Sequence, residues 1–255
     1  MAGFFVSERS FIGLCHPAVR LIALFLACLP PLLIDTPIPA LALIGIYAAA
    51  ALNAGALKNL WRVRWLILTF LAVAMIMWPA FYQVPGPPVF RLGPIAPSSG
   101  SLAFALAMGL RLIALLIAGV VFLSTTRIED ISHGLQRLGM PYRASFAFSL
   151  AFRLTPLFLE TATQISAAQK ARGLDLQAAG LLTRLKGYVA VLAPVLITAL
   201  RRADGLALAL ESKGFGRSAD RTSIVEYHAG WRDAVLIFVL SVMVVLSGLY
   251  RWIFF

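Results

Sequence analysis

The sequence predicts an all-α polytopic membrane protein, with about five transmembrane helices and a module of long amphipathic helices beside them. Three observations predict it. Of 255 residues, 60% are hydrophobic and only 13% charged, with a mean hydropathy of +0.88. A soluble domain is about 45–50% apolar and about 25% charged, so a wet-surfaced enzyme is excluded. Apolar runs near the roughly 20 residues that cross a bilayer core recur along the chain. Finally, 13 of the 22 Lys and Arg lie between Arg127 and Arg221, and eight of the 11 acids lie between Glu129 and Glu226. The net charge is +11, but interleaved signs do not make the basic stripe that nucleic acid requires. The excess of cations fits the cytoplasmic face of a membrane protein.

The elements follow in order. Residues 17–34 form the first apolar run, closed by the breakers Asp35, Pro37 and Pro39. Because apolar sequence continues past Cys28, this run reads as a retained helix rather than a cleaved leader. Cys15 and Cys28 have no metal-ligand spacing and cannot build a disulfide framework. A second run, 40–57, stops at Lys58, Arg62 and Arg64, which predict a cytoplasmic turn. The third, 65–82, begins with Trp65 and ends with Tyr82, aromatics favoured at membrane interfaces. Five prolines then fill residues 83–101 and predict an external loop. A fourth run, 102–123, carries Arg111, which either serves function or, more plainly, snorkels outward or pairs inside the bundle. The last run is 234–255. Domains are therefore expected at 1–126 (four spans), 127–229 (a charged cytoplasmic module) and 230–255 (a closing span).

Within the charged module, Pro141 is suited to open a helix, which runs to Arg172 and is kinked at Pro156. A shorter helix is expected over 176–193. Another starts at Pro194, with Leu196, Ala199, Leu200, Ala203, Leu206, Ala207 and Leu210 at three- and four-residue steps. Both long helices end alike, in Ala171-Arg172-Gly173 and Ser212-Lys213-Gly214. A cation in the last turn suits the helix dipole, and glycine suits the left-handed cap. One such stop therefore means little. Two copies, each at the end of a long amphipathic helix, present two cations on stiff arms that suit acidic pockets on a dimeric partner.

Several stretches together resemble the T component, or transmembrane coupling subunit, of energy-coupling factor transporters. They are His16-Pro17-Ala18-Val19-Arg20-Leu21, Ser124-Thr125-Thr126, Asp130-Ile131, Gly134-Leu135, Leu138-Gly139-Met140-Pro141 and Phe152-Arg153-Leu154-Thr155-Pro156. Beyond them come Ala171-Arg172-Gly173-Leu174-Asp175, Ala203-Asp204, Glu211-Ser212-Lys213-Gly214-Phe215-Gly216 and Arg221-Thr222. The resemblance spans nearly the whole chain. It implies a non-catalytic, cofactor-free subunit of a prokaryotic inner-membrane importer of vitamins or transition metals. Its coupling helices would dock on two ABC ATPases, and its membrane helices would hold a separate substrate-binding S component. By the same resemblance, Arg172 and Lys213 enter the ATPase grooves, Ala171 and Ser212 allow close approach, and Gly173 and Gly214 end the helices. The family's second tip is usually Ala-Arg-Gly, so Lys213 replaces a planar bidentate fork with a compact point charge.

Other classes fit less well. The sequence contains no GxxxxGK[ST] loop, HExxH or GxSxG. His16, His133 and His228 stand far apart without companion ligands. A self-contained ion-coupled carrier, the alternative function, would show repeated halves and midplane charges, whereas Arg111 stands alone. A membrane enzyme would need the group Glu129, Asp130 and His133, which also reads as the acidic first turn of a helix.

Overall fold

The structure is a computed structural model that describes residues 10–82, 87, 98–174, 180–216 and 230–254. Among the described residues it is all-α. The helices are α1 (Pro17–Leu33), α2 (Pro37–Asn53), α3 (Leu57–Arg62), α4 (Arg64–Phe81), α5 (Ser99–Thr125), α6 (Ile128–Arg137), α7 (Tyr142–Ala171), α8 (Leu181–Ser212) and α9 (Trp231–Phe254). The chain divides into two compact units, Met1–Gly139 with Tyr227–Phe255, and Met140–Glu226. Most of the proline-rich stretch expected as an external loop lies outside the described residues, as do Asp175, Arg221, Thr222 and His228.

The larger unit is built around α5. Its inward side buries Leu110, Ile113, Ala114, Ile117, Ala118 and Val121 against Leu43, Tyr47 and Ala51 of α2. α4, α5 and α9 are long and apolar enough to cross a membrane, and α1 and α2 are apolar helices of 17 residues. α4 and α9 bury little of themselves: Ile76, Phe81, Phe238 and Leu246 are all exposed. Outward apolar faces of this extent are costly in water and natural against lipid.

The polar contacts sort the helix ends into two groups. At one end, Arg20 of α1 is buried, donating to the carbonyls of Gly13, Cys15 and Thr125 and to Asp130 Oδ2 at 3.1 Å. Asn59 of α3 donates to Ser124 at the end of α5 (2.8 Å), and the His16 N–H donates to Asp233 in the first turn of α9 (2.8 Å). At the other end, Arg111 reaches the carbonyls of Pro31, Leu32 and Ile34 and pairs with Asp35 at 2.5 Å. Thr36 meets Tyr250 there at 2.9 Å. The start of α1, α3, the end of α5 and the start of α9 thus share one end, and the end of α1 and the end of α9 share the other. Arg111 is the cation of a helix C-terminus, where last-turn carbonyls favour positive charge.

Close approach of α6 to α1 requires glycine at 134. A Cβ there would sit 2.7 Å from Leu21 Cδ1 and 3.0 Å from the Pro17 backbone.

The smaller unit is the antiparallel pair α7 and α8. Gln169, near the end of α7, lies beside Ala190 of α8. The ring of Phe215, just past α8, packs at a tilt against Phe146 near the start of α7.

Four local expectations change. α5 begins at Ser99 rather than 102, because the Ser98 hydroxyl accepts from the Ser101 N–H and caps it. Residues 57–62 coil into a short helix rather than a plain turn, with buried Asn59 tied to α5. The separate helices expected over 176–193 and from 194 are one continuous α8 from Leu181. Pro194 removes a backbone donor, and a side chain from α7 supplies another. The apolar stripe is also only partly the packed one: Ala199, Leu206 and Leu210 are half-buried, while Leu196, Leu200, Ala203 and Ala207 are exposed. Among the described residues α8 packs chiefly on α7, and a helix so packed buries one narrow side.

Candidate functional site

The two sequence tips have the same backbone geometry. α7 ends at Ala171 and α8 at Ser212, leaving Arg172 and Lys213 as the capping residues. Gly173 and Gly214 follow with φ of +87° and +72°. Leu174 N–H donates to the Gln169 carbonyl and Gly173 N–H to that of Lys170, both at 3.0 Å. Phe215 N–H donates to Leu210 and Gly214 N–H to Glu211, both at 2.9 Å. This doubled bonding pattern is the Schellman motif, which satisfies helix-end carbonyls and needs a left-handed residue. A Cβ on Gly173 would meet nothing within 4 Å, so the glycine serves backbone conformation and not space.

Arg172 and Lys213 are both exposed, as are Ala171 and Ser212. Among the described residues neither cation joins an ion pair; the pairs are Arg20 with Asp130 and Arg111 with Asp35. Each tip cation therefore sits on a closed helix end, with its charge offered outward. Because α7 and α8 run antiparallel, the two tips lie at opposite ends of the pair. At 1.5 Å per helical residue the register separates them by about 40 Å. The structure thus does not bring the six predicted residues together; it places them as two helix ends of three residues each, alike in backbone geometry.

Their surroundings differ. Beyond Lys213, the Phe215 ring lies 4.6 Å from Phe146 and 5.9 Å from Tyr142, bracing the second tip on the base of α7. Sequence reasoning missed this brace, because a lone phenylalanine after a glycine cap carries no periodic signal. The first tip runs directly into residues 175–179, outside those described.

The pair also leaves apolar side chains uncovered. Phe148, Phe152, Tyr188, Leu192, Leu196 and Leu200 are all exposed. The antiparallel pair thus has a cation at each tip and apolar flanks that no described element covers. No group of His, Cys, Asp and Glu able to hold a metal occurs among the described residues. Of the acidic group on α6, Asp130 is committed to Arg20, and Glu129 and Asp130 occupy the first helical turn. That is the place where carboxylates stabilise a helix.

Outside the spans, two groups near the start of α1 are perturbed. The Cys15 thiol is pushed up to about 11, chiefly by burial and then by the Asp233 charge. His16 is held below its usual 6.5, chiefly by burial, and its Nδ1 accepts from the Ala18 N–H as the N-cap of α1.

Residues 8–224 match the family described as cobalt transport protein (CbiQ). The energy-coupling factor transporter transmembrane protein EcfT of Brevibacillus brevis is 29% identical, over 98% of this chain and 97% of that protein. EcfT of Bacillus subtilis is 26% identical over the same shares. A putative ABC transporter ATP-binding protein of Bifidobacterium longum is 29% identical over 94% of this chain, a match that spans 32% of that larger protein.

Proposed function

We propose, because the chain belongs to the CbiQ family of cobalt transport proteins, that it is the non-catalytic transmembrane coupling subunit of an ATP-driven energy-coupling factor importer. Its cargo is a vitamin or a transition metal, bound by a separate membrane-embedded S component. Two ABC ATPases supply the work, one at each tip: Ala171-Arg172-Gly173 on α7 and Ser212-Lys213-Gly214 on α8. The observation that carries this reading is the repeated Schellman end with an outward cation, at both ends of one stiff antiparallel pair. Such a pair spaces two charges for two equivalent acidic pockets. The match to part of a longer ATP-binding protein supports a working partnership between this kind of segment and an ATPase.

In this reading α1, α2, α4, α5 and α9 make five crossings of the prokaryotic inner membrane. The amino terminus is cytoplasmic, and residues 127–229 form the cytoplasmic coupling module. The sorting of helix ends supports that alternation, since the starts of α1 and α9 share an end with the finish of α5. Lys58, Arg62 and Arg64 fall at that same end, as the positive-inside bias requires. The uncovered apolar flanks of α7 and α8 supply surface for the remaining contacts of the assembly.

Co-purification tests the reading. Affinity-tagged chain expressed with its neighbouring genes should bring down two ATPase subunits and an S component. Import into vesicles should require ATP hydrolysis by that complex. Import by the chain alone, without nucleotide, would instead identify a self-contained carrier.

A further inference from the structure

α8 continues through Pro194 although proline has no N–H for the carbonyl four residues back, that of Ala190. A helix with an unmet carbonyl and a proline ring in its ladder bends there. In α8 that carbonyl has a partner from the other helix: Gln169 Nε2 donates to Ala190 O at 3.3 Å, with both residues half-buried. The same arrangement occurs in the larger unit. Pro31 lies inside α1, and the carbonyl four residues back, Ala27, accepts from the buried Tyr47 hydroxyl of α2. Side-chain donors from a neighbouring helix thus close proline gaps in both units.

Gln169 has a second engagement. Its own backbone carbonyl accepts from Leu174 N–H (3.0 Å) and Arg172 N–H (3.1 Å), the bonds that close the first tip. One residue therefore holds the cap beneath Arg172 by its main chain and the gap in α8 by its side chain. From Pro194 to Lys213 the arm is about 28 Å long at 1.5 Å per residue, so a bend of about 10° displaces the second tip by about 5 Å.

We infer that Gln169 is a positioning residue: by donating to the carbonyl that Pro194 leaves unmet, it holds α8 in one conformation at the proline and so fixes the Lys213 tip relative to the Arg172 tip. This rests on the coupling role proposed above, in which two tips must meet two pockets at a set spacing. Pro194 creates the need and Gln169 meets it, so the two positions are coupled although they lie on different helices. Removing the proline restores a main-chain donor and makes the glutamine dispensable.

The experiment uses the assembled complex and the variants Gln169→Leu and the near-isosteric Gln169→Glu, neither of which offers the donor at neutral pH. Each is made alone and with Pro194→Ala. Amide hydrogen exchange across the Ala190 to Thr198 segment should accelerate about threefold to tenfold in either single variant, the size expected for one lost hydrogen bond. Transport per ATP hydrolysed should fall with it while the subunits still co-purify. In the Pro194→Ala background both effects should vanish. Unchanged exchange in both glutamine variants, or equal acceleration with and without Pro194, would overturn the inference. Failure of the wild-type chain to bind ATPases would overturn the coupling role instead, and leaves the exchange measurement able to judge Gln169 by itself.

Discussion

The ring of Phe215 lies 4.6 Å from that of Phe146, two residues after Lys213 and near the first turn of α7. With Tyr142 at 5.9 Å, it makes a three-ring contact that anchors the end of α8 to the beginning of α7. The Schellman cap sets the direction of the second tip, and this contact fixes where the capped end stands. Phe215→Ala should cost about 1–2 kcal/mol, since an aromatic pair contributes about 0.5–1.5 kcal/mol beyond its buried area. Thermal melts of the detergent-purified chain report the loss. Phe215→Leu should recover part of it, and binding of the ATPase at the second tip should weaken more than at the first.

The two tip cations should respond unequally to substitution. Arg presents a planar fork that pairs bidentately with carboxylates, and Lys a single compact charge. Lys213→Arg should preserve assembly. Lys213→Ala should weaken it by about 2–5 kcal/mol if the charge is desolvated in the partner, and Arg172→Ala by at least as much. Titrating ATPase onto immobilised variants measures each loss, and a Lys213→Ala complex of unchanged affinity would remove that tip from the account.

Arg20 is a stability residue at the end shared by α1, α5 and the start of α9. Its side chain is 6% exposed and has four acceptors, Asp130 and three carbonyls. Removing one partner of a buried ion pair costs about 3–5 kcal/mol, because the other is left uncompensated. Arg20→Ala should lower the melting temperature sharply, and Arg20→Lys should recover only part of the loss, since an ammonium cannot span all four acceptors. Arg20→Ala combined with Asp130→Asn should be milder than the single change.

Acidification should loosen the start of α1. His16 accepts from Ala18 N–H through Nδ1, which only an unprotonated nitrogen can do. Burial holds its pKa below 6.5, so the unfolded chain takes up the proton first. The stability contributed by neutral His16 is therefore complete above 6.5 and is lost as pH falls through the lower, folded value. Melting temperature should decline over that interval, and His16→Asn, which keeps a capping acceptor without titrating, should flatten the decline.

Much of this was legible in the sequence for definite reasons. The apolar runs announced α1, α2, α4, α5 and α9, because bilayer-length hydrophobicity is a one-dimensional signal. Arg172-Gly173 and Lys213-Gly214 announced two helix ends, because a left-handed cap strongly favours glycine. The continuity of α8 was not legible: Pro194 is a local breaker, and its remedy, Gln169, lies 25 positions away on another helix. The start of α5 was hidden by the prolines before it, although Ser98 carried the capping signal. The packed face of α8 was misread at Leu196 and Leu200, because periodicity shows which residues avoid water and not which neighbour covers them.

The most direct measurement is proximity labelling at the tips. Arg172→Cys and Lys213→Cys are placed singly in the chain, assembled with its ATPases in native membranes and treated with a short thiol crosslinker. Docking of both tips predicts that each position joins an ATPase subunit, with a doubly substituted chain capturing two. Crosslinks from neither position, in membranes that still import cargo, would contradict it.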